Sequence, residues 1–167
     1  ATKLCADKLV IAANNIRGAR RSKFSVVRYG NVFGSRGSIV PLFLKQKNTQ
    51  KITITDKSMT RFNISLQDGV SMVLWSLANN FGGEILVPEI PSYRVEDMAT
   101  AIAPGCVIEE IGVRPGEKLH EEMISVSDSM NTLRFKDYFV ILPSGNTHIY
   151  DYYLKNYGAQ AVSKSFS

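Results

Sequence analysis

Apolar positions along the chain switch several times between a helical and a strand period. In residues 1–17, Cys5, Leu9, Ala12, Ala13 and Ile16 recur at offsets of four, seven, eight and eleven, which predicts a helix with that stripe as its core face. Lys3 lies two positions before Cys5, roughly 200° around the helix, and so points away from the stripe. Gly18 is the stop signal. The β-branched and aromatic run at 24–29 predicts a strand. It feeds a loop, 30–37, with three glycines in eight residues. A helix follows at 38–47, with Pro41 in the first turn, where a missing N–H is tolerated.

Short strands are predicted at 52–55 and 61–64. The 66–79 segment predicts a helix with Ser65 as N-cap and Leu66, Val70, Val73, Leu74 and Leu77 as its buried stripe. A strand at 84–87, a helix at 95–103 closed by Pro104-Gly105, and a strand at 106–111 come next. A turn at 114–118 enters a short helix at 119–123. Beyond Ser127 the pattern fades. Residues 144–167 hold four of the seven tyrosines without a clean period and read as a peripheral tail. Helix, short loop and apolar strand in succession indicate an α/β fold with a parallel sheet.

Composition narrows the classes. The chain has 167 residues, 44% hydrophobic and 21% charged, which excludes a disordered, collagenous or coiled-coil protein. No stretch approaches the ~20 apolar residues of a membrane helix. The cysteines, Cys5 and Cys106, make neither a disulfide framework nor a zinc spacing, and with only His120 and His148 beside them no metal is expected. The net charge of +5 is mild. Its densest run, Arg17, Arg20, Arg21 and Lys23, has no interleaved aromatics, so a solvated loop is expected and nucleic acid is not. No secretory signal is visible, which favours the cytoplasm. The chain opens on Ala1-Thr2-Lys3 inside a helix, without Met, and so reads as a fragment or a processed product.

Four places could carry chemistry. Lys3 is on a helix that precedes a parallel strand. Arg28 to Val32, with Gly34 to Ser38, lies at a strand's carboxyl end, where open α/β sheets bind ligands. Backbone N–H groups near a helix start, with Arg36 beside them, suit a phosphate. Met59-Thr60-Arg61-Phe62 places an arginine beside a turn. In Arg114-Pro115-Gly116-Glu117-Lys118 the Pro and Gly stiffen the turn, Arg114 could grip a phosphate and Glu117 could accept paired sugar hydroxyls. For each place a purely structural reading, as exposed helix lysine, turn or surface strand, remains open on physics alone.

The runs Ala1 to Leu9, Phe24 to Val32, Gly34 to Ser38, Ile54-Thr55-Asp56 with Met59 to Phe62, and Gly112 to Glu121 together resemble an extended short-chain dehydrogenase/reductase. More narrowly, they resemble the inverting UDP-N-acetylglucosamine 4,6-dehydratases of polysaccharide biosynthesis, in order over roughly residues 1–140. The resemblance implies the last part of a Rossmann domain at 1–35, a small α/β substrate domain at 36–143 with some segments returning to the Rossmann sheet, and a tail at 144–167. Lys3 matches the lysine of the family's Tyr-x-x-x-Lys signature, whose tyrosine would fall before Ala1. The family's glycine-rich dinucleotide loop and its Asp-Lys elimination pair are likewise outside this sequence.

The implied reaction is an internal redox cycle. NADP takes hydride from sugar C4, water leaves across C5 and C6, and hydride returns to C6 with C5 inverted. By the resemblance, Lys3 holds the nicotinamide ribose and lowers the tyrosine pKa, Val32 lies near the nicotinamide, and Asn31 contacts the sugar. Arg36, Gly37, Ser38, Ile39 and Val40 surround the uridine diphosphate. Arg61 and Arg114 bind diphosphate or uridine, and Glu117 holds the uridine ribose. The partner is a UDP-sugar, and a homo-oligomer is expected for the full-length enzyme. The isolated chain is expected not to turn over. The alternatives are a retaining 4,6-dehydratase, a C4 epimerase, or a non-catalytic UDP-sugar-binding module. His120 and Arg36 favour the inverting group, because membrane-bound relatives usually carry Tyr and Ser there.

Overall fold

The computed structural model describes residues 2–162. Its elements run α1 (Thr2–Ile16), β1 (Val26–Val27), β2 (Asn31–Val32), α2 (Ile39–Lys47), β3 (Lys51–Ile54), β4 (Thr60–Ile64), α3 (Leu66–Asn79) and β5 (Ile85–Pro88). Then follow β6 (Ser92–Arg94), α4 (Val95–Ile102), β7 (Val107–Glu110), α5 (Val126–Ser129), β8 (Thr132–Phe135), β9 (Tyr138–Ile141), α6 (Thr147–Tyr157) and β10 (Gln160–Ala161). The α/β class and most predicted elements are present. The predicted helix at 119–123 is not. That stretch is irregular, and the short helix forms later, at α5, where Ser125 caps it by accepting from the Asp128 amide.

The chain forms two compact units. The first comprises Ala1–Tyr29, Val70–Glu89 and Met123–Ser167. Its sheet has the order β1-β5-β9-β8-β10, with β1 parallel to β5 and the other pairs antiparallel. Alternation along β5 divides the core. Leu86 faces a cluster with Met72 of α3, Val140 of β9 and Ile149 and Tyr153 of α6. Ile85 and Val87 face the other side, against Ile124, Ile141 and Ile11 of α1. The segment read as a peripheral tail therefore supplies core residues. Trp75, Phe135, Tyr138, Tyr152, Tyr153 and Tyr157 stack and edge against one another at ring separations of 5.2–6.0 Å, so the tyrosines are packing groups rather than a solvated stripe.

The predicted core stripes of α1 and α3 are corrected. No residue of α1 is buried, and Leu9 and Ile16 remain 72% and 86% exposed. The face that docks is Asp7, Ile11 and Asn14, and Lys3 falls on that same face one turn earlier. Asn14 fixes it with a reciprocal pair, its Nδ2 donating to the Phe24 carbonyl at 2.7 Å and its Oδ1 accepting the Phe24 amide at 3.0 Å. In α3, Leu66, Val70, Val73, Leu74 and Leu77 are all exposed, and the helix buries Met72 and Ser76 instead. Ser65 does cap α3, accepting from the Asp68 amide at 3.0 Å.

The second unit comprises Gly30–Gly69 and Ile90–Glu122. It holds the three-stranded sheet β2-β4-β6 and the parallel pair β3-β7. Phe43 of α2, Ile52 and Ile54 of β3, and Val95 and Ala99 of α4 make its core. At Gly30 an added Cβ would lie 2.7 Å from the Phe62 Cβ and 2.9 Å from the Phe62 carbonyl oxygen, so the approach of the β2 lead-in to β4 demands glycine.

Candidate functional site

In the second unit, β2 carries Asn31, exposed, and Val32, half-buried, in parallel register with Asn63 and Ile64 of β4. The loop after β2 turns through Gly34 and Gly37 at φ values of 69° and 80°, both in the left-handed region, and delivers Ser38 as N-cap of α2. The Ser38 hydroxyl does not cap the helix. It is buried and has no hydrogen-bond partner among the described residues. Arg36 and Gly37 are exposed, and Ile39 and Val40 are half-buried at the start of α2. The sequence reading of this loop as a place for an anion thus meets a nine-residue helix with free amides at its start.

Arg61 and Glu117, 56 positions apart in sequence, are brought together. The Arg61 Nη2 lies 3.5 Å from the Glu117 Oε1, with side chains only 13% and 28% exposed. Arg61 also donates through Nη1 to the carbonyls of Thr60 at 2.7 Å and Leu119 at 3.1 Å. One guanidinium therefore braces the loop 114–119 against the start of β4, a task that its planar fork suits and an ammonium would not. The Thr60 amide adds a bond to the Leu119 carbonyl at 3.0 Å. The Arg114 amide points at the Glu117 Oε2 at 3.5 Å, and the Glu117 amide bonds the Arg114 carbonyl at 3.0 Å, closing the Pro115-Gly116 turn. The Arg36 and Arg114 side chains are exposed and pair with no carboxylate among the described residues.

Three neighbours of this cluster were given no site role from sequence. His120 Nδ1 and the Thr60 hydroxyl are 2.8 Å apart. The Asp56 carboxyl is held below the usual carboxylate range, first by the Ser58 hydroxyl and then by the Ser58 amide, with a smaller contribution from His120. Tyr93, opposite Arg61 across β4 and β6, has its hydroxyl pushed up by burial against a smaller opposing pull from Arg61. Asp56 and His120 lie within the runs that carried the resemblance, which was the available signal, whereas Tyr93 lies in none of them and is brought opposite Arg61 by strand pairing.

Lys3 belongs to the first unit. It is exposed on the first turn of α1 and pairs with no acid among the described residues. Arg28, read from sequence as a possible anion contact, is instead committed to protein partners. Its guanidinium engages Asp7 at 3.0 Å, Asp128 at 3.3 Å and the Met123 carbonyl at 2.8 Å.

An α/β chain with a glycine loop opening on a helix, and an arginine-braced Arg-Pro-Gly-Glu turn, has relatives of known name. The family described as polysaccharide biosynthesis protein matches residues 1–143. The chain belongs to that family. It is 53% identical over 146 residues to the UDP-N-acetylglucosamine 4,6-dehydratase (inverting) of Campylobacter jejuni, covering 86% of this chain and 44% of the relative. It is 37% identical over 149 residues to the UDP-glucose 4-epimerase of Rickettsia massiliae, again covering 86% and 44%. The X-ray structure of Pen from Bacillus thuringiensis superposes with a TM-score of 0.81 at 36% identity, covering 86% of this chain and 47% of that one. The chain thus spans a little under half the length of the curated relatives it matches. No helix among the described residues is long and apolar enough to cross a membrane.

Proposed function

We propose that this chain is the C-terminal portion of an inverting UDP-N-acetylglucosamine 4,6-dehydratase and that its second unit holds the UDP part of the substrate. The observation that carries the reading is the Arg61–Glu117 brace, which fixes the Arg114-Pro115-Gly116-Glu117 turn and leaves the Arg114 guanidinium exposed. The 53% identity to a protein of that name supports it. Arg36 and Arg114 supply cations for the diphosphate, and the first amides of α2, with Gly37, Ser38, Ile39 and Val40 around them, supply donors. Arg61 and Glu117 form the uridine end, where a Glu117 oxygen accepts ribose hydroxyls. Asn31, exposed at the start of β2, contacts the sugar.

The residues fit a nicotinamide dinucleotide in the roles left to them. Lys3 has an exposed ammonium with no acidic partner among the described residues, which suits a donor to ribose hydroxyls. Val32 offers an apolar surface beside the ring. NADP, when bound, supplies the acceptance and return of hydride. The positive charge of Lys3 would also favour the ionised form of a neighbouring tyrosine base. The same reading places the complete enzyme in the cytoplasm as a homo-oligomer, with residues 1–35 serving the dinucleotide and, within 36–143, the second-unit segments 36–69 and 90–122 serving the UDP-sugar.

The 37% identity to an epimerase favours one second reading, C4 epimerisation, which shares the oxidation at C4. Product mass separates the two, since dehydration loses one water and epimerisation loses none. The site itself is tested by calorimetric titration of UDP into the chain. Binding that falls at least tenfold in both Arg36→Ala and Arg114→Ala is expected. No binding, or binding indifferent to both changes, overturns the assignment.

A further inference from the structure

α1 is held along one stripe only. Ile11 packs on the sheet and Asn14 bonds Phe24, but these fix its second half. The first half depends on Asp7, which accepts from Arg28 at 3.0 Å with both side chains 19% exposed. Arg28 is itself rigidly placed. Its amide donates to the Leu86 carbonyl at 2.8 Å at the end of β1. Its other guanidinium nitrogen is shared by the Met123 carbonyl at 2.8 Å and Asp128 of α5 at 3.3 Å. Three acceptors from two distant chain segments, α1 and residues 123–128, thus converge on one planar fork. Lys3 is one turn before Asp7 on the same face, at the i, i+4 spacing of direct neighbours.

We propose that Arg28 is a positioning residue for Lys3: by clamping Asp7 between the sheet and α5, it fixes the first turn of α1 and so the place of the Lys3 ammonium. This rests on the reading of Lys3 as the ribose-holding lysine. The clamp does not touch substrate. It limits the wandering of a helix start that has no buried side chain of its own. A positioned donor off by an ångström loses much of its effect.

The test uses amide hydrogen exchange of the chain and turnover of the complete enzyme. Asp7→Asn is expected to speed exchange of the amides of residues 6–10 by about tenfold, as for loss of a charge-assisted bond, while amides of α6 keep their native rates. Arg28→Lys, with one ammonium for three acceptors, is expected to restore only part of the protection lost in Arg28→Gln. In the complete enzyme, Asp7→Asn is expected to lower kcat about tenfold with KM for the UDP-sugar unchanged. Unchanged exchange in α1, equal acceleration in α1 and α6, or a rise in KM with kcat intact would overturn the proposal. Lys3→Ala separates it from the reading beneath. Full kcat in that variant defeats the role of Lys3, whereas the exchange results report on the clamp alone.

Discussion

Replacing Gly30 with alanine puts the close approach of two strands under direct strain. The added Cβ would sit 2.7 Å from the Phe62 Cβ, 2.9 Å from its carbonyl oxygen and 3.0 Å from its carbonyl carbon. Comfortable carbon–carbon contact begins near ~3.5 Å, so the two strands must part by a large fraction of an ångström. Two of the three obstructing atoms are backbone, and no side-chain rotation relieves them. The pairs Asn31–Asn63 and Val32–Ile64, and the Phe33 amide bond to the Ile64 carbonyl at 2.9 Å, must stretch to allow it. Overpacking of this kind costs about 1–3 kcal/mol. Alanine returns about 0.4–1 kcal/mol by restricting the unfolded chain. A net loss of about 1–2 kcal/mol is expected, read as a lower urea midpoint at unchanged m-value. Because Arg61 precedes Phe62 in β4, UDP affinity should fall about tenfold with it, equivalent to ~1.4 kcal/mol. An unchanged midpoint together with UDP affinity within twofold of native would refute the claim that only glycine fits.

Other changes read other parts of the molecule. Arg61→Lys is expected to weaken UDP binding at least fivefold, since a single nitrogen cannot span acceptors that the fork reaches with two, Glu117 on one and two carbonyls on the other, and calorimetry measures it. Tyr153→Phe should leave stability unchanged or raise it by up to ~1 kcal/mol, because the buried hydroxyl has no hydrogen-bond partner among the described residues, and a clear loss in urea unfolding would contradict that. Burial, and then the Tyr152 contact, push the Tyr157 hydroxyl up to about 12, and burial pushes Tyr153 up as well, with Glu84 adding to it. A raised phenol keeps its proton in the folded state while the unfolded one loses it near pH ~10. Stability is therefore full below pH ~10 and falls as pH rises toward 12, and Tyr157→Phe should flatten that fall in melts across the range.

Much of the backbone was legible because its cues are local. The span 66–79 of α3 follows from Ser65 as cap and the glycines after Asn80, and Pro41 marks the first turn of α2. The facing of α1 and α3 was not legible. Periodicity reveals that an apolar stripe exists, not what covers it, and both helices dock through the opposite, partly polar side. Asp7 and Asn14 earn their place by hydrogen bonds whose partners are 21 and 10 positions away, which no periodic template registers. The C-terminal aromatics were opaque for a related reason. Tyr152, Tyr153 and Tyr157 pack by ring geometry around Phe135 and Trp75, and the helix they ride is recognisable mainly by its Asn146 cap. Of the site, the glycine loop and the Arg114–Glu117 turn were readable as motifs. The brace from Arg61, and the role of Arg28 as a clamp rather than an anion contact, needed the fold.

The hairpin of β8 and β9 reverses in two residues, Lys136 and Asp137, with Lys136 in the left-handed region at φ 49°. Closing so short a loop takes little chain entropy, whereas β1 must find β5 across some sixty residues, as β3 must find β7. The hairpin is thus the natural seed of the first unit, yet it is made late when the chain is synthesised from its N-terminus. Until it emerges, Leu86 and Met72 lack Leu133, Phe135 and Val140, and the first unit has no inner layer to close on. The second unit draws its core from residues 39–108 and is free of that wait. During synthesis the second unit can therefore fold first, with the unit that carries Lys3 completed behind it.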